Sequence, residues 1–449
     1  MYFNQMLSRP TLRLTTLAVL AAITSATSAT LLAQMKAPPQ VVKPPIALAY
    51  IDVATAASDM PGGNMMAGMA QGSSSGGLFG ALGGMARGAT GAVTGGGNTF
   101  GQTRSMGLGS GKYVDVSVFS NKNRALAEAT QMIPGVMSLG ESLKLVAPIP
   151  EKPLPPGPVD ERPYEPSYEK PRGKMSIYWG CGENIRPGQP RTLDAATARI
   201  EDFGKFFVSR GSTTKGARAE PGHPAWPNKQ DDRQVPDSAS LIGQHTFIGN
   251  GIPDSFKVSL GAPQDLMPPI QLSQRKNETG VDLEWQTIPH ARGYFIAVMG
   301  GKSDSNDSGE AIFWTSSELP DVGFGLLDYQ SNSNIDKWLG EKVILPAATT
   351  KCAVPKGIFP ESGGGMLRMI AYGSEAYFAF PPRPTDPKIA WEPDWQTKVR
   401  VKSTLFSMLG GMGDNEGRGR GTRDEPAKGK DKEEKKPNPI ELLKGLFGR

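Results

Sequence analysis

The sequence predicts an all-β protein built from two β-sandwich domains, and three observations support this class. Short runs of alternating apolar and polar residues recur along the chain, such as GKYVDVSVFS (111–120) and VDLEW (281–285). Turn residues, mainly Gly, Pro, Asn and Asp, separate these runs. Long helical periodicity is scarce, and LDAATARIEDFGKFF (193–207) is the one moderate helix candidate before the C-terminal segment. Short strands spaced by turns are typical of β-sandwiches.

The N-terminus has the features of an export signal. Arg9 and Arg13 precede a short apolar stretch (14–23), and small residues follow it. The pattern predicts cleavage after Ala29 or Ala33, and an uncleaved N-terminal anchor is the alternative. The style of the signal is bacterial, so the predicted location is periplasmic or extracellular, possibly associated with the outer membrane.

The bulk composition limits the classes of function. The chain has 449 residues and a formal net charge of +5, which is too small an excess to predict a nucleic-acid partner. It contains 55 glycines and 39 prolines, about a fifth of the chain, so long stretches are not expected to form packed core. No confident transmembrane segment is found, since the apolar stretch of the N-terminus is short.

Only two cysteines occur, Cys181 and Cys352. In an oxidising compartment an even count is compatible with pairing, and these two form the disulfide candidate. Two separately buried thiols are the alternative. No CxxC motif exists, so neither a redox motif nor a zinc cluster is predicted.

Composition also divides the chain into segments. The glycine-rich insert is expected to be flexible, although Gly80, Gly84 and Gly88 at four-residue spacing leave a membrane-associating hairpin as the alternative. In order, the predicted segments are a signal peptide (1–33), a Pro-rich spacer and strand (34–60), a Gly/Ser/Met-rich insert (61–111), a first sandwich domain (112–262) with a Pro-rich segment (148–171), a second sandwich domain (263–390), a basic strand with a Gly-rich end (391–412), a disordered charged linker (413–437) and a short amphipathic helix (438–449).

The second sandwich domain contains the pattern L-x-W … P … A-x-G-Y. The residues that carry it are Leu283, Trp285, Pro289, Ala291, Gly293 and Tyr294. A later run ends in Ala-Tyr-Gly (371–373). Together they resemble the fibronectin type III and immunoglobulin-like β-sandwich superfamily over about residues 265–382. The resemblance implies that Trp285 packs in the core between two sheets, and both Trp285 and Tyr294 are expected to be core residues. The middle section, roughly 300–362, departs from the resemblance because it is longer than usual for such modules. Both predicted domains are therefore expected to be immunoglobulin-like sandwiches, a fold that does not select one function.

No catalytic constellation is found in the sequence. His223, His245 and His290 have no second ligand at metal spacing, so no metal site is predicted. GSSSG (72–76) matches a nucleophile elbow by letters alone, because no strand precedes it and no helix follows. GLGSGKY (107–113) lacks the first Gly and the Ser or Thr of a phosphate loop. The sequence therefore predicts no catalytic residue and no cofactor.

Two segments near the C-terminus are candidates for binding. In WEPDWQTKVRVKS (391–403) the basic residues alternate with valines and follow two tryptophans. Such a ribbon could bind an anionic glycan or lipid surface, and an edge strand protected by lysines has the same pattern. The binding candidates are Trp391, Trp395, Lys398, Arg400 and Lys402.

In the predicted C-terminal helix, Ile440, Leu443 and Phe447 form an apolar stripe that could dock to a partner, with a frayed tail as the alternative.

These observations predict an exported, non-enzymatic binding or scaffold protein of the bacterial cell envelope. It would use sandwich loops, sheet edges and the tethered C-terminal helix, with an envelope protein or an anionic glycan or lipid surface as partner. A carbohydrate-active enzyme or a glycan-binding accessory module is one alternative. A membrane-associating protein that uses the glycine-rich insert is the other.

Overall fold

The computed structural model describes residues 40–59, 98–104, 109–149, 173–208, 210–211, 215–303, 309–360 and 365–410. The predicted signal peptide, most of the glycine-rich insert and most of the proline-rich segment lie outside the described residues. The charged linker and the predicted C-terminal helix, with Ile440, Leu443 and Phe447, also lie outside them.

The chain divides into two compact units. One comprises Met1–Pro44 and Pro381–Pro393, and the other comprises Pro45–Phe380 and Asp394–Arg449. In the first unit, Val42 and Trp391 form a parallel bridge, and the Gln40 amide donates to the Ile389 carbonyl over 2.8 Å. The second unit contains all the strands and helices of the described residues.

Seventeen strands and two short helices are found among the described residues. The strands are β1 (Ala47–Ser58), β2 (Gly111–Ser120), β3 (Glu128–Met132), β4 (Ser142–Val146), β5 (Lys174–Trp179), β6 (Arg191–Asp194), β7 (Ala225–Trp226), β8 (Gly243–Ile248), β9 (Lys257–Leu260), β10 (Leu272–Lys276), β11 (Gly280–Trp285), β12 (Gly293–Ser303), β13 (Gly309–Thr315), β14 (Leu345–Pro346), β15 (Lys351–Pro355), β16 (Met366–Phe380) and β17 (Trp395–Met408). The helices are α1 (Ile200–Phe206) and α2 (Asn332–Gly340). The predicted helix over 193–207 is thus restricted to its second half, because β6 takes the residues before it.

The protein is predominantly β, which confirms the predicted class. One sheet has fourteen strands, in the order β6-β5-β13-β12-β16-β17-β1-β2-β7-β4-β3-β8-β9, with β14 paired to β12. A second sheet has three strands in the order β10-β11-β15. The division into two immunoglobulin-like domains is not confirmed, because strands from both sides of the predicted boundary at residue 262 belong to the large sheet. β5 pairs with β13, and β1 pairs with β17.

β1 lies in the interior of the large sheet, and this position explains why its sequence, ALAYIDVATAAS, is so apolar. It pairs antiparallel with β2 and parallel with β17. Strands buried on both faces read as nearly continuous apolar runs. Ala49, Ile51 and Val53 are fully buried on one face, and Asp52 is fully buried on the other. A carboxylate at such a position requires partners, because an unpaired buried charge is costly.

The three-stranded sheet packs on the large sheet through an apolar core. Trp285 at the end of β11 is 5% exposed and meets the ring of Tyr294 edge-on, with 5.6 Å between centroids. The Tyr294 hydroxyl accepts a hydrogen bond from the backbone N–H of Ile288 over 3.0 Å. Leu283 and Val354 join the same core from β11 and β15. The expectation that Trp285 and Tyr294 are interior packing residues is therefore confirmed.

A disulfide between Cys181 and Cys352 joins the turn after β5 to β15, with 5.1 Å between the Cα atoms. The backbone beside it is also paired, since the N–H of Gly182 donates to the carbonyl of Ala353 over 3.0 Å. The bridge therefore ties a strand near one end of the large sheet to an outer strand of the three-stranded sheet.

Candidate functional site

The basic residues of the predicted binding ribbon lie on β17, in the middle of the large sheet. β17 pairs with β16 on one side and with β1 on the other, so the prediction of a protective edge strand is wrong. Lys398, Arg400 and Lys402 are 7%, 2% and 2% exposed. They share one face, as the alternation predicts, but that face is covered. These three residues do not form an exposed basic ribbon.

Each of the three cations is paired with an acid from another element. The Lys398 ammonium lies 2.8 Å from the Glu375 carboxylate of β16. Lys402 Nζ donates to Asp328 Oδ1 over 2.9 Å. Pairing offsets part of the desolvation cost of these buried charges, and removing one partner would leave the other uncompensated.

Arg400 makes the most specific of these pairs, a bidentate salt bridge to Asp52. Its Nε donates to Asp52 Oδ1 over 2.7 Å, and its Nη2 donates to Asp52 Oδ2. The two residues are register partners on β17 and β1. A planar guanidinium matches a carboxylate in this geometry and gives orientation as well as attraction.

Tyr329 provides an aromatic surface for two of the cations. Arg400 and Lys402 lie 4.3 Å and 4.4 Å from its ring centre, within the range of cation–π attraction. Its hydroxyl donates to the carbonyl of Val53 over 2.9 Å. Burial raises the pKa of Tyr329 well above its usual range, so the ring stays a neutral donor.

A segment around residue 216 crosses over the Asp52–Arg400 pair. The backbone N–H of Ala217 donates to Asp52 Oδ2 over 3.1 Å, and Arg104 Nη2 lies 3.3 Å from the same oxygen. A Cβ placed on Gly216 would lie 1.7 Å from Arg400 Nη2. Only glycine permits the backbone to approach the guanidinium so closely.

Asp115 on β2 is the register partner of Asp52 and has only neutral donors as direct partners. The N–H of Gly101 donates to its Oδ1 over 3.0 Å, and the Thr103 N–H and hydroxyl donate to its Oδ2. Burial raises the pKa of Asp115 to about 7, against the lowering effect of these hydrogen bonds. The carboxyl fixes the turn Gln102–Arg104 to the sheet.

We call these residues the buried charge network: Asp52, Arg104, Asp115, Asp328, Tyr329, Glu375, Lys398, Arg400 and Lys402. Asp52, Asp328 and Glu375 each pair with a cation of the network, and Asp115 is held by Gly101 and Thr103, so these charges serve to hold the strands together. None of the acidic members was predicted from the sequence. For Asp52 and Asp115, a single Asp inside an otherwise apolar strand, as in AYIDVAT and KYVDVSV, is the pattern that indicates a buried carboxylate.

The two tryptophans of the predicted ribbon belong to different units. Trp395 is 5% exposed, stacks on Phe256 with 4.8 Å between centroids, and donates from Nε1 to the Ser255 carbonyl over 2.7 Å. Trp391 belongs to the first unit, where its Nε1 donates to the Pro381 carbonyl and Arg383 lies over its ring. Trp395 is therefore a core residue without an accessible ring face.

A cleft of about 960 Å³ provides a more accessible candidate site. It lies where the end of β1 and the start of β2 face β10 and the end of β11. The residues that line it are 55–59, 110–112, 237, 269–273 and 284–286. Clefts of this size are large enough for a ligand or a peptide segment.

The cleft has an acidic rim and one buried polar atom without a partner. Asp59, Asp237 and Glu284 are exposed lining residues. Lys112 also lines the cleft, but its ammonium donates to the carbonyls of Asp237 and Ala239. Trp285 forms part of the wall, and its buried Nε1 has no hydrogen-bond acceptor among the described residues. The accessible feature of the cleft is therefore its negative charge.

Among the described residues, no group of three or more His, Cys, Asp or Glu side chains could hold a metal ion. Neither of the two helices in this part of the chain has the length and apolarity needed to span a bilayer.

Comparison with known proteins gives no match: no family model, no curated protein and no solved structure is similar to this chain.

Proposed function

We propose that this chain is an exported, non-enzymatic binding or scaffold protein of the bacterial cell envelope, and that it binds its partner in the cleft beside β10. The cleft carries the proposal, because it has an accessible acidic rim beside the edge of β10. The buried charge network supports a non-enzymatic role, since its cations are held by acids and Asp115 is held by Gly101 and Thr103.

Two features support export. The residues before position 34 have the features of a bacterial signal, and disulfides persist in oxidising compartments outside the cytoplasm. The bond between Cys181 and Cys352 fits such a compartment. The periplasm or the cell surface is the proposed location.

The strand order supports a fibronectin III-like arrangement for the second half of the chain. β10-β11-β15 form one layer, and β13-β12-β16-β17 are neighbours in the other. Sandwiches of that superfamily have three and four strands in these chain positions. On this proposal the last strand of the sandwich also pairs with β1, so the sandwich continues into a larger sheet.

Site-specific photo-crosslinking in living cells tests the proposed function. A photoreactive residue at Ser273, which is exposed in the cleft, should give a discrete adduct with an envelope protein. The matched control is the same residue at Ser259, which is exposed on β9. Adducts at both positions, or at neither, would argue against the cleft as the binding site.

A glycan-binding role is the second candidate, and Tyr377 favours it. Its side chain is 69% exposed, and its hydroxyl donates to Glu375 Oε1 over 2.6 Å. An exposed ring beside the Glu375–Lys398 pair provides an aromatic surface with fixed polar groups, as sugar-binding sites do. Tyr377→Ala should then abolish retention on immobilised envelope polysaccharide, whereas Tyr377→Phe should keep it. Equal retention of wild type and Tyr377→Ala would reject this candidate.

A further inference from the structure

We infer that the cleft takes an extended segment of a partner protein, which adds to the three-stranded sheet as a strand on the free edge of β10. The inference rests on the proposed binding function and names the kind of partner. Addition of a strand to an exposed sheet edge is a known mode of peptide recognition, in which main-chain hydrogen bonds supply much of the affinity.

The register of the sheet shows which groups of β10 are available. The Asn277 N–H donates to the Gly280 carbonyl, and the Trp285 N–H donates away from β10, to the Thr350 carbonyl. In an antiparallel ladder the direction of the main-chain groups alternates with each residue. The N–H and C=O of Ser273 therefore point to β11, and those of Leu272 and Gln274 point outward.

No strand among the described residues occupies that outer side. β10 pairs with β11 alone. Natural edge strands are commonly protected by charged side chains. Arg275 and Lys276 protect the far end of β10, but the stretch that lines the cleft, PIQLS (269–273), carries no charge. The unprotected part of the edge is thus the part that faces the cleft.

The rim of the cleft indicates the charge of the partner segment. Asp59, Asp237 and Glu284 are accessible, and Lys112, the one cation of the lining, is held by two backbone carbonyls. Such a rim attracts a segment that carries lysine or arginine.

The chain's own neighbouring segments are poor candidates for this strand. The N–H of Gly410 donates to the Gln274 side chain over 2.9 Å, so the chain continues from beside β10. The following residues read GMGDNEGRGRG (411–421), and the segment after Asp59 is also rich in glycine. Glycine, aspartate and asparagine are depleted in strands, which favours a partner protein as the source.

Peptide binding to the full mature chain tests the inference. The probe is a fluorescent nine-residue peptide of alternating valine and lysine, capped at both ends, and binding is followed by fluorescence anisotropy. Leu272→Pro removes the outward N–H without removing a bond of the β10–β11 ladder, and it should weaken binding about tenfold or more. Leu272→Ala retains the N–H and is the matched control, expected within about threefold of wild type.

A second arm tests the same bonds from the side of the ligand, so that the inference stays testable if Leu272→Pro misfolds. The same peptide with methylated amide nitrogens should not bind, and a peptide with glutamate in place of lysine should bind at least about tenfold more weakly. Deletion of residues 60–97 or of 411–449 should leave the affinity unchanged.

The inference fails if the probe does not bind wild type, if methylation has no effect, or if Leu272→Pro and Leu272→Ala bind equally. It also fails if either deletion raises the affinity about tenfold, because the chain's own segment would then be the occupant. A specific adduct at Ser273 together with any of these results would preserve the proposed function and reject strand addition. If no adduct forms at Ser273, the proposed binding function itself is rejected.

Discussion

Asp52 and Asp115 lie directly opposite each other on β1 and β2, yet only Asp52 accepts hydrogen bonds from cations. Arg400 and Arg104 hold Asp52, whereas Gly101 and Thr103 donate neutral hydrogen bonds to Asp115. Burial, and to a smaller extent the neighbouring Asp52, raise the pKa of Asp115.

Asp115→Asn should change how stability depends on pH. The folded-state pKa of Asp115 is raised from 3.8 to about 7, so the folded chain holds a proton that the unfolded chain releases. The stability from this proton is complete below pH 3.8 and is lost as pH rises through about 7. Of the roughly 4 kcal/mol lost over the whole range, wild type should lose about 3 kcal/mol relative to the variant between pH 5 and pH 8. Urea unfolding of both proteins at pH 5 and pH 8 measures this. An equal difference at both pH values would contradict it.

Arg400→Met should destabilise the protein strongly, because it leaves Asp52 buried without its main counter-charge. Breaking a buried pair in this way costs about 3–5 kcal/mol. Arg218→Met is the control, since Arg218 lies 3.9 Å from Glu220 in a half-exposed pair and should cost less than about 1 kcal/mol. Adding Asp52→Asn to Arg400→Met should recover part of the loss in urea unfolding. Fully additive losses would show that the two residues are not coupled.

Gly216→Ala should resemble loss of Arg400, since the added methyl group overlaps the guanidinium. The expected cost is about 2–4 kcal/mol, because either the backbone segment or the arginine must move. Gly204→Ala in α1 is the matched control, since its added Cβ meets nothing within 4 Å and alanine favours helix. Thermal unfolding should rank Gly204→Ala at or above wild type and Gly216→Ala well below. Similar midpoints for the two variants would refute the role given to Gly216.

Removing the disulfide should lower stability through the unfolded chain. Cys181 and Cys352 are 171 positions apart, and the chain-entropy account assigns such a closure up to about 5 kcal/mol. The double variant Cys181→Ala/Cys352→Ala should therefore unfold at lower urea concentration than wild type. Wild type treated with dithiothreitol should shift toward the variant, and the variant should not respond. A response of the variant to reductant would point to another cause.

The alternation of residues predicted the strands and the core positions of Trp285 and Tyr294, but not the partners of the strands. A period of two tells which residues share a face, and it carries no information about which strand lies beside them. β1 and β17 pair across almost the whole sequence, so no local signal reveals the contact. The same limit explains the misplaced basic ribbon. The sequence pattern of a strand lysine is the same whether the lysine faces water or a buried acid such as Glu375.

The parallel pairing of β1 with β17 has a consequence for how the chain folds. Contacts between residues so far apart in sequence form slowly, because the intervening chain must first be brought together. During synthesis, β1 stays without this neighbour until the last strand has emerged from the ribosome. Any product that terminates before Trp395 would expose the unpaired sides of β1 and β16, two strands prone to aggregate.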